Sequence, residues 1–324
     1  MDTKYLEVKR KHHHVWADYL KRWSSDGINV FHSTPTKKIK LDSVRGLAME
    51  MDFYKISYLS QHDISVILQW SSKSSDDLQE AHRSYLKDFL RFQKANELYR
   101  RSGRSDEIVE KSIKALTSKL MEDLHSAHER EASQVLKTLA EGRISCLYEN
   151  DLLISFMSFL GHQLTRTKNF KDRIIQALID APIKDNHFIE SMTNSWWFIS
   201  YMFGMNIGRE LYLFRSRYTH SLLFNGTKIP FITSDQPAIN VHPQVWEFPS
   251  QPESLDLYYP ISPQYAYVIS ESESFPGGVS EVARDTVISL NQKMAARSKT
   301  LIFGSSAESI ETWIPFVGRD HVFV

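Results

Sequence analysis

The sequence predicts an α+β fold in which several helices separate an amino-terminal β-hairpin from a carboxy-terminal, mostly antiparallel sheet. Three observations predict it. Two short β-branched segments flank a Ser-Thr-Pro-Thr turn, residues 76–207 carry apolar side chains at helical spacing, and short aromatic and β-branched segments dominate after Gly208. No repeat or clear linker divides the chain. We therefore predict one composite domain over 1–324. It comprises a hairpin region (1–60), a helical region (76–207) and a sheet region (208–324).

The hairpin is predicted from "GINVFHSTP" and "KKIKLDSV", because turn-forming residues separate two segments that are typical of strands. The preceding "HHHVWADYL" is predicted to form a short helix or an irregular lead-in. Val15, Tyr19, Leu20 and Trp23 are expected to pack this lead-in against the core.

The helical region begins with a helix predicted over 76–101, which Gly103 ends. Ser105, followed by two acidic residues, is the predicted N-cap of a long helix that ends near Gly142. Two further helical segments are predicted at about 150–180, with a break near Thr167, and at about 185–207.

The sheet region is predicted from "RELYLFRSRYTHSLLF", "IPFITSD", "LDLYYPIS" and "AYVIS", which are short and rich in aromatic and β-branched residues. One helix is predicted at about 279–298, where Val282, Val287, Leu290 and Met294 line one face. The segment "KTLIFG" is the last predicted strand.

Composition limits the function classes. Lys plus Arg and Asp plus Glu number 39 each, so no net charge draws the whole chain to nucleic acid or to an anionic membrane. The single cysteine, Cys146, excludes an intrachain disulfide and a cysteine-rich zinc site and is typical of the cytoplasm.

The amino terminus lacks the apolar core of a signal peptide, and no apolar stretch is long enough to span a bilayer, so no membrane partner is expected. Neither glycine-rich phosphate-binding motif is present, so no nucleotide cofactor is expected.

Three places carry candidate site residues. The first is the histidine run, in which His12 and His13 are candidates for metal ligands or for acid–base catalysis. Adjacent histidines seldom reach one ion together, so at most two of the three are expected to share a site. A solvent-exposed run without function is the alternative interpretation.

The second place is "FLGHQLTRTKNFKDR". Gln163, Arg166 and Thr167 are candidates for substrate binding, because a guanidinium and an amide that point inward from an apolar helix need partners. An anionic ligand or a carboxylate such as Asp235 would supply one. A purely structural ion pair is the alternative.

The third place is the end of the strand "IPFITSD". There Thr233 is a candidate for substrate binding, Ser234 for a nucleophile that needs a positioned base, and Asp235 for a base or metal ligand. Serine, aspartate and proline are also ordinary turn residues, and this alternative remains open.

Together these motifs resemble the bacterial family called domain of unknown function 4238. The family pattern His-His-x-Val-Pro-x-x-Tyr-Leu matches residues 12–20, except that Trp16 replaces the proline. Its Gln-x-x-Arg-Thr-Pro pattern matches residues 163–168, with Lys168 at the proline position. Its Thr-Ser-Asp-x-Pro pattern matches residues 233–237. The family also has an aspartate-phenylalanine-tyrosine sequence at the end of its first hairpin, which residues 52–54 resemble. The resemblance implies a composite site and leaves its chemistry open.

The favoured hypothesis is a metal-assisted hydrolase, a nuclease or phosphoesterase that acts as a phage-defence or toxin-like effector. His12 or His13 would bind Mg²⁺ or Mn²⁺ or act as a base, Asp235 would be a metal ligand or an orienting carboxylate, and Arg166 with Gln163 would bind a phosphate. Nucleic acid would then bind through a local basic cleft. The alternative is a non-catalytic regulator of a partner protein or of a second copy of the chain, in which the His, Arg and Asp cluster is a structural network.

Overall fold

The computed structural model describes residues 6–182, 184–242 and 254–319. Over these residues it forms ten α-helices and eleven strands, and the α+β prediction is confirmed. No helix in these ranges is long and apolar enough to cross a membrane. The first group of elements is β1 (Lys11–His13), α1 (Ala17–Leu20), β2 (Asn29–Ser33), β3 (Ile39–Ser43), β4 (Met49–Met51) and α2 (Gln61–Ser71).

The helical middle of the chain comprises α3 (Asp76–Arg101), α4 (Glu107–Ala140), α5 (Asn150–Thr165), α6 (Lys168–Asp180), α7 (Asn186–Asn194) and α8 (Trp196–Leu213). The remaining elements are β5 (Thr219–Phe224), β6 (Thr233–Ser234), β7 (Ile239–Asn240), β8 (Asp256–Pro260), β9 (Tyr265–Ser270), β10 (Gly278–Glu281), α9 (Arg284–Arg297), β11 (Ile302–Gly304) and α10 (Ala307–Glu311).

Three sheets organise the strands. Strands β1 and β4 pair antiparallel, with His12 opposite Glu50. A five-stranded sheet has the order β10-β5-β9-β8-β7, in which only the β10–β5 pair is parallel. A four-stranded antiparallel sheet has the order β3-β2-β11-β6, so the amino-terminal hairpin joins the carboxy-terminal strands in one sheet.

Helices α5 and α8 pack with their backbones in contact. Glycine makes this approach possible, because a Cβ added to Gly161 of α5 would lie 2.5 Å from the backbone nitrogen of Gly208 in α8. On α8, Gly204 and Gly208 stand four residues apart and therefore face the same side. A Cβ on Gly204 would collide with the ring of His162, so this close packing also fixes the position of that ring.

Most predicted elements are confirmed. The hairpin forms as β2 and β3, and Val15, Tyr19, Leu20 and Trp23 are buried. Helix α3 spans the predicted residues. The helical break near Thr167 separates α5 from α6, because the Thr167 hydroxyl accepts a hydrogen bond from the Phe170 backbone nitrogen and begins a new helix. The four segments predicted as strands from "IPFITSD", "LDLYYPIS", "AYVIS" and "KTLIFG" include residues of β6, β8, β9 and β11, respectively.

Some predictions were wrong in detail. The N-cap of α4 is Asp106, because its carboxylate accepts hydrogen bonds from the nitrogens of Ile108 and Val109. The segment predicted at 185–207 divides at Ser195 into two helices, and the second continues to Leu213.

As a result, "RELYL" is helical and not part of a strand, since its apolar side chains continue the buried face of α8. The predicted helix at 279–298 begins later, at Arg284, after strand β10 has paired with β5.

Candidate functional site

Helix α4 carries charged residues on the face that it buries. The stripe at spacings of three and four residues runs through Ala115, Ser118, Glu122, His125 and Glu129 before it continues into Ala132 and Leu136. A stripe at this spacing normally contacts the core and is apolar. Two carboxylates and an imidazole therefore enter the interior of the protein, where each needs a partner.

The partner of Glu129 is Arg166, which is fully buried and is the C-cap residue of α5. Its Nη1 lies 2.7 Å from Glu129 Oε1, and its Nε donates to the backbone oxygen of His14 at 3.3 Å. The hydroxyl of Tyr54 donates to the Arg166 backbone oxygen at 2.5 Å. We call Tyr54, Glu122, His125, Glu129, His162 and Arg166 the buried polar cluster.

Several atoms in the buried polar cluster have no hydrogen-bond partner among the residues that the structure describes. They are Glu122 Oε2, Arg166 Nη2 and both ring nitrogens of His125 and of His162; Gln163 Oε1 beside them is likewise unpaired. Buried polar atoms are nearly always paired, and each exception calls for water, an ion or a functional role. The cluster therefore has an unused set of donors and acceptors at its centre.

The two glutamates have opposite pKa shifts. Burial acts to raise the pKa of Glu122, but hydrogen bonding to His13 and the charges of Lys9 and Arg166 outweigh it, so this pKa is lowered. Burial raises the pKa of Glu129, against the opposing charge of Arg166. A pair of carboxyl groups with divergent pKa values is the arrangement that acid–base enzymes use.

The histidines of the cluster are held neutral. Burial, followed by the charge of Arg166, lowers the pKa of His125 well below its ordinary value. Burial, followed by the neighbouring His128, has the same effect on the pKa of His162. The rings of His128 and His162 stack with centroids 4.2 Å apart, and His162 also stacks on Tyr201 at 4.5 Å. A neutral imidazole has one donor and one acceptor nitrogen, and in the rings of His125 and His162 neither of these is used.

The predicted histidines occupy different positions at this cluster. His12 is buried, and both of its ring nitrogens are used: Nδ1 accepts from the Tyr54 backbone nitrogen at 2.8 Å, and Nε2 lies 2.9 Å from the Lys9 oxygen. His13 is partly exposed, with Nε2 at 3.1 Å from the Arg45 oxygen and Nδ1 at 3.8 Å from Glu122 Oε1. The structure thus places His13, and not His12, where the cluster meets solvent.

The predicted residues of the third motif lie apart from the cluster and bond within the chain. Thr233 Oγ1 lies 2.7 Å from the Tyr19 hydroxyl. Ser234 Oγ donates to the Gln236 oxygen at 2.9 Å, and none of its hydrogen bonds is to a histidine or carboxylate that could act as its base. Asp235 accepts from the backbone nitrogens of residues 299, 300 and 301 at 2.7, 2.8 and 2.9 Å, and so fixes the turn between α9 and β11.

The three motifs nevertheless meet in space. Gln163 Nε2 and Arg166 Nε both donate to the backbone oxygen of His14, which joins the first motif to the second. The Thr167 hydroxyl donates to Gln236 Oε1, which joins the second motif to the third. Helix α5 and its carboxy-terminal cap are therefore the centre of the arrangement.

The hydrogen bonds that the side chains of His12 and Asp235 make to the backbone are to different groups, those of Lys9 and Tyr54 and those of residues 299–301. Within residues 6–182, 184–242 and 254–319, no group of three or more His, Cys, Asp or Glu side chains is arranged to hold a metal ion. The dependence on Mg²⁺ or Mn²⁺ stays a prediction.

Glu122, His125 and Glu129 on α4, and His162 on α5, were not among the residues predicted from the sequence. A signal was present, because charged residues interrupt an otherwise apolar stripe at helical spacing. Such an interruption indicates polar side chains on the face that the helix buries, each of which needs a partner.

The match to a known family agrees with the convergence of the three motifs. Residues 11–308 match the family described as protein of unknown function (DUF4238). The chain belongs to this family. The matched range includes every member of the buried polar cluster, so the DUF4238 region contains the whole candidate site. No curated protein and no solved structure matches the chain.

Proposed function

We propose that this DUF4238 protein is a hydrolase that cleaves phosphodiester bonds at the solvent-facing side of the buried polar cluster. The observation that carries the proposal is the position of Glu122. One of its oxygens lies 3.2 Å from the ammonium group of Lys9 and 3.8 Å from His13 Nδ1, at the surface, while the other is buried without a partner.

The chemistry assigned to this place follows from the charges. The carboxylate of Glu122, which its lowered pKa keeps ionised, accepts a proton from the attacking water, directly or through His13; as the water oxygen bonds to phosphorus the ester P–O bond breaks, and the same proton passes to the leaving oxygen. The exposed ammonium group of Lys9, 3.2 Å from Glu122, supplies a cation for a phosphate oxygen, and the buried Arg166 acts through its charge, which lowers the pKa of Glu122. The His13 backbone nitrogen donates to Glu122 Oε1 at 3.5 Å, whereas the His13 ring, at 3.8 Å from the same oxygen, is beyond hydrogen-bond distance, and such ring contacts often shorten only when substrate binds.

A nucleic-acid substrate is favoured by the local charge. Lys9, Arg10 and Lys11 are exposed and lead directly into the histidine run. We call these three residues and His13 the basic edge. A polyanion can bind a local basic surface even when the net charge of the chain is zero. Cleavage of phage nucleic acid in the cytoplasm remains part of this proposal, as does assistance by Mg²⁺ or Mn²⁺.

The test compares Glu122→Gln with Asp123→Asn. The second variant removes one negative charge from the adjacent, exposed position of the same helix. Wild type and both variants are incubated with labelled single- and double-stranded DNA and RNA, with and without Mg²⁺ or Mn²⁺. We expect wild type and Asp123→Asn to cleave at similar rates and Glu122→Gln to be at least about 100-fold slower, the scale of general acid–base catalysis. Equal rates in the two variants would refute the assignment of Glu122.

A second candidate function is a non-catalytic binding or regulatory protein. It is favoured by the complete internal bonding of His12, Thr233 and Asp235, which is what a network that only specifies the fold requires. Under this alternative, wild type would cleave no substrate in any condition, and Asp235→Asn would lower the melting temperature without changing any activity.

A further inference from the structure

Strand β3 is an open edge of the four-stranded sheet. It pairs with β2 on one side, and no other strand within residues 6–182, 184–242 and 254–319 pairs with it. Its three central residues, Lys40, Leu41 and Asp42, are exposed, and the apolar side chain of Leu41 has 51% of its surface in solvent. An exposed edge strand is a template for pairing with another strand, unless charges or proline on the edge prevent it.

The odd-numbered residues of β3 present their backbone groups to this open edge. The Thr34 nitrogen donates to the Lys38 oxygen at 2.8 Å, just before β3. The Val44 nitrogen donates to the Ile28 oxygen at 3.0 Å, just after it. Even-numbered residues therefore form the hydrogen-bonded pairs of the β2–β3 ladder, and such pairs alternate with non-hydrogen-bonded ones. The N–H and C=O groups of residues 39, 41 and 43 consequently point away from β2.

The sequence of β3, Ile-Lys-Leu-Asp-Ser, is self-complementary about Leu41. If two β3 strands pair antiparallel with Leu41 at a two-fold axis, Lys40 of each copy lies opposite Asp42 of the other. Opposite charges at directly opposed positions stabilise a pair of strands. The same register makes 41–41 and 39–43 the hydrogen-bonded pairs, and these are the residues whose backbone groups face the open edge. A two-fold interface requires a patch that is complementary to itself in this way.

Both charges of this register are accessible. The Asp42 carboxylate contacts His32 Nε2 of β2 at 3.0 Å through Oδ2, and its side chain is still 55% exposed. A lysine on an edge strand commonly blocks pairing. In the symmetric register each Lys40 has a carboxylate opposite it, so the charge that repels other strands attracts a second copy of this one.

Apolar side chains lie on the other face of the same strand. Phe31 of β2 is directly opposite Leu41, and both Phe31 and Ile39 are only partly buried against the core. At the two-fold axis the Leu41 side chains of the two copies would be neighbours, and the Phe31–Leu41 row would continue into the same row of the second copy. Burial of this apolar surface would favour association.

We propose that two copies of this chain associate through antiparallel pairing of their β3 strands about Leu41, which joins the two four-stranded sheets into one. The inference is independent of the proposed hydrolase, because neither His13 nor Glu122 belongs to β3. Failure of the nuclease assay leaves the dimer untouched, and a monomeric protein leaves the hydrolase untouched.

The test is an exchange of charges, followed by sedimentation velocity of the full chain over a range of concentrations. Lys40→Glu leaves only negative charges at the interface, and Asp42→Lys leaves only positive ones. Lys87→Glu is the matched control, because it makes the same charge change at an exposed position of α3. We expect wild type and Lys87→Glu to dimerise reversibly, and Lys40→Glu and Asp42→Lys each to associate at least about tenfold more weakly. An equimolar mixture of Lys40→Glu and Asp42→Lys should restore the dimer, since every carboxylate then faces a lysine.

A second pair of variants tests the backbone pairing. Leu41→Pro removes the N–H that faces the open edge and spares the hydrogen bonds to β2, and proline is tolerated at such an edge position. Leu41→Val keeps both the N–H and an apolar side chain. We expect Leu41→Val to dimerise and Leu41→Pro to remain monomeric, with the same circular dichroism. This pair decides the question if Asp42→Lys does not fold without its contact to His32.

The proposal is overturned if wild type stays monomeric up to the highest concentration at which it is soluble. It is also overturned if Lys40→Glu and Leu41→Pro dimerise as tightly as wild type, because the contact would then lie on another surface. Failure of the mixture to restore association, with both variants folded, would refute the register about Leu41.

Discussion

Replacement of His125 by phenylalanine should make the stability of the protein less sensitive to acid. The His125 ring makes no hydrogen bond and contacts other rings, with centroids 4.8 Å from Tyr54, 5.7 Å from His162 and 5.8 Å from Tyr201. A phenyl ring preserves these contacts and cannot be protonated. Any cost of the slightly larger ring is the same at every pH, so it does not affect the comparison.

The magnitude follows from proton linkage. Burial lowers the pKa of His125 in the folded state far below its ordinary value of 6.5, so below that pH the unfolded chain binds a proton that the folded protein does not. Each such proton lowers the free energy of unfolding by about 1.4 kcal/mol per pH unit. Stability that is present above pH 6.5 is lost as pH falls, and between pH 8 and pH 5 the loss through His125 is about 2 kcal/mol.

The assay is urea unfolding, followed by tryptophan fluorescence, at pH 5, 6, 7 and 8. Wild type should lose about 2 kcal/mol more than His125→Phe over this range. His187→Gln is the control, because this ring is exposed, and it should follow wild type. Equal losses in wild type and His125→Phe would refute the reasoning, since they would mean that His125 takes up its proton in the folded state.

Three further predictions concern the contacts that hold the site. Gly161→Ala should lower the free energy of unfolding by about 2–3 kcal/mol in urea titrations, because its Cβ would meet the backbone of Gly208; an unchanged value would contradict the close contact of the two helices. Asp235→Ala should lower it by about 3–5 kcal/mol, since it leaves buried backbone nitrogens unpaired; a loss below about 1 kcal/mol would argue against the anchoring role. Thr167→Val should lower it by about 2 kcal/mol through loss of the α6 cap and of the bond to Gln236, whereas Thr167→Ser should keep most of it.

Local patterns predicted much of the fold. The apolar spacing of 76–101 and the break near Thr167 are encoded within one or two turns of chain, and both predictions were confirmed. The end of α8 was misread, because the β-rich composition that follows Gly208 was extended back into residues that complete a buried helical face.

The site was predicted in part. The association of Gln163 and Arg166 with the histidine motif was expected, and they meet at the His14 oxygen. Which side chains face each other depends on helix packing and on pairing between strands that are distant in the chain. Asp235 was expected beside His12, but its carboxylate bonds the turn before β11, and no local pattern encodes that pairing.

The central claim is that chemistry occurs where the buried polar cluster meets the basic edge, and the rate of bis(p-nitrophenyl) phosphate hydrolysis by His13→Gln tests it most directly. This small phosphodiester needs no extended binding surface, and His187→Gln provides an exposed histidine as the control. We expect wild type and His187→Gln to hydrolyse it at the same rate and His13→Gln to be at least about tenfold slower, with unchanged folding by circular dichroism. Equal rates for the two variants, or no hydrolysis by wild type, would contradict it.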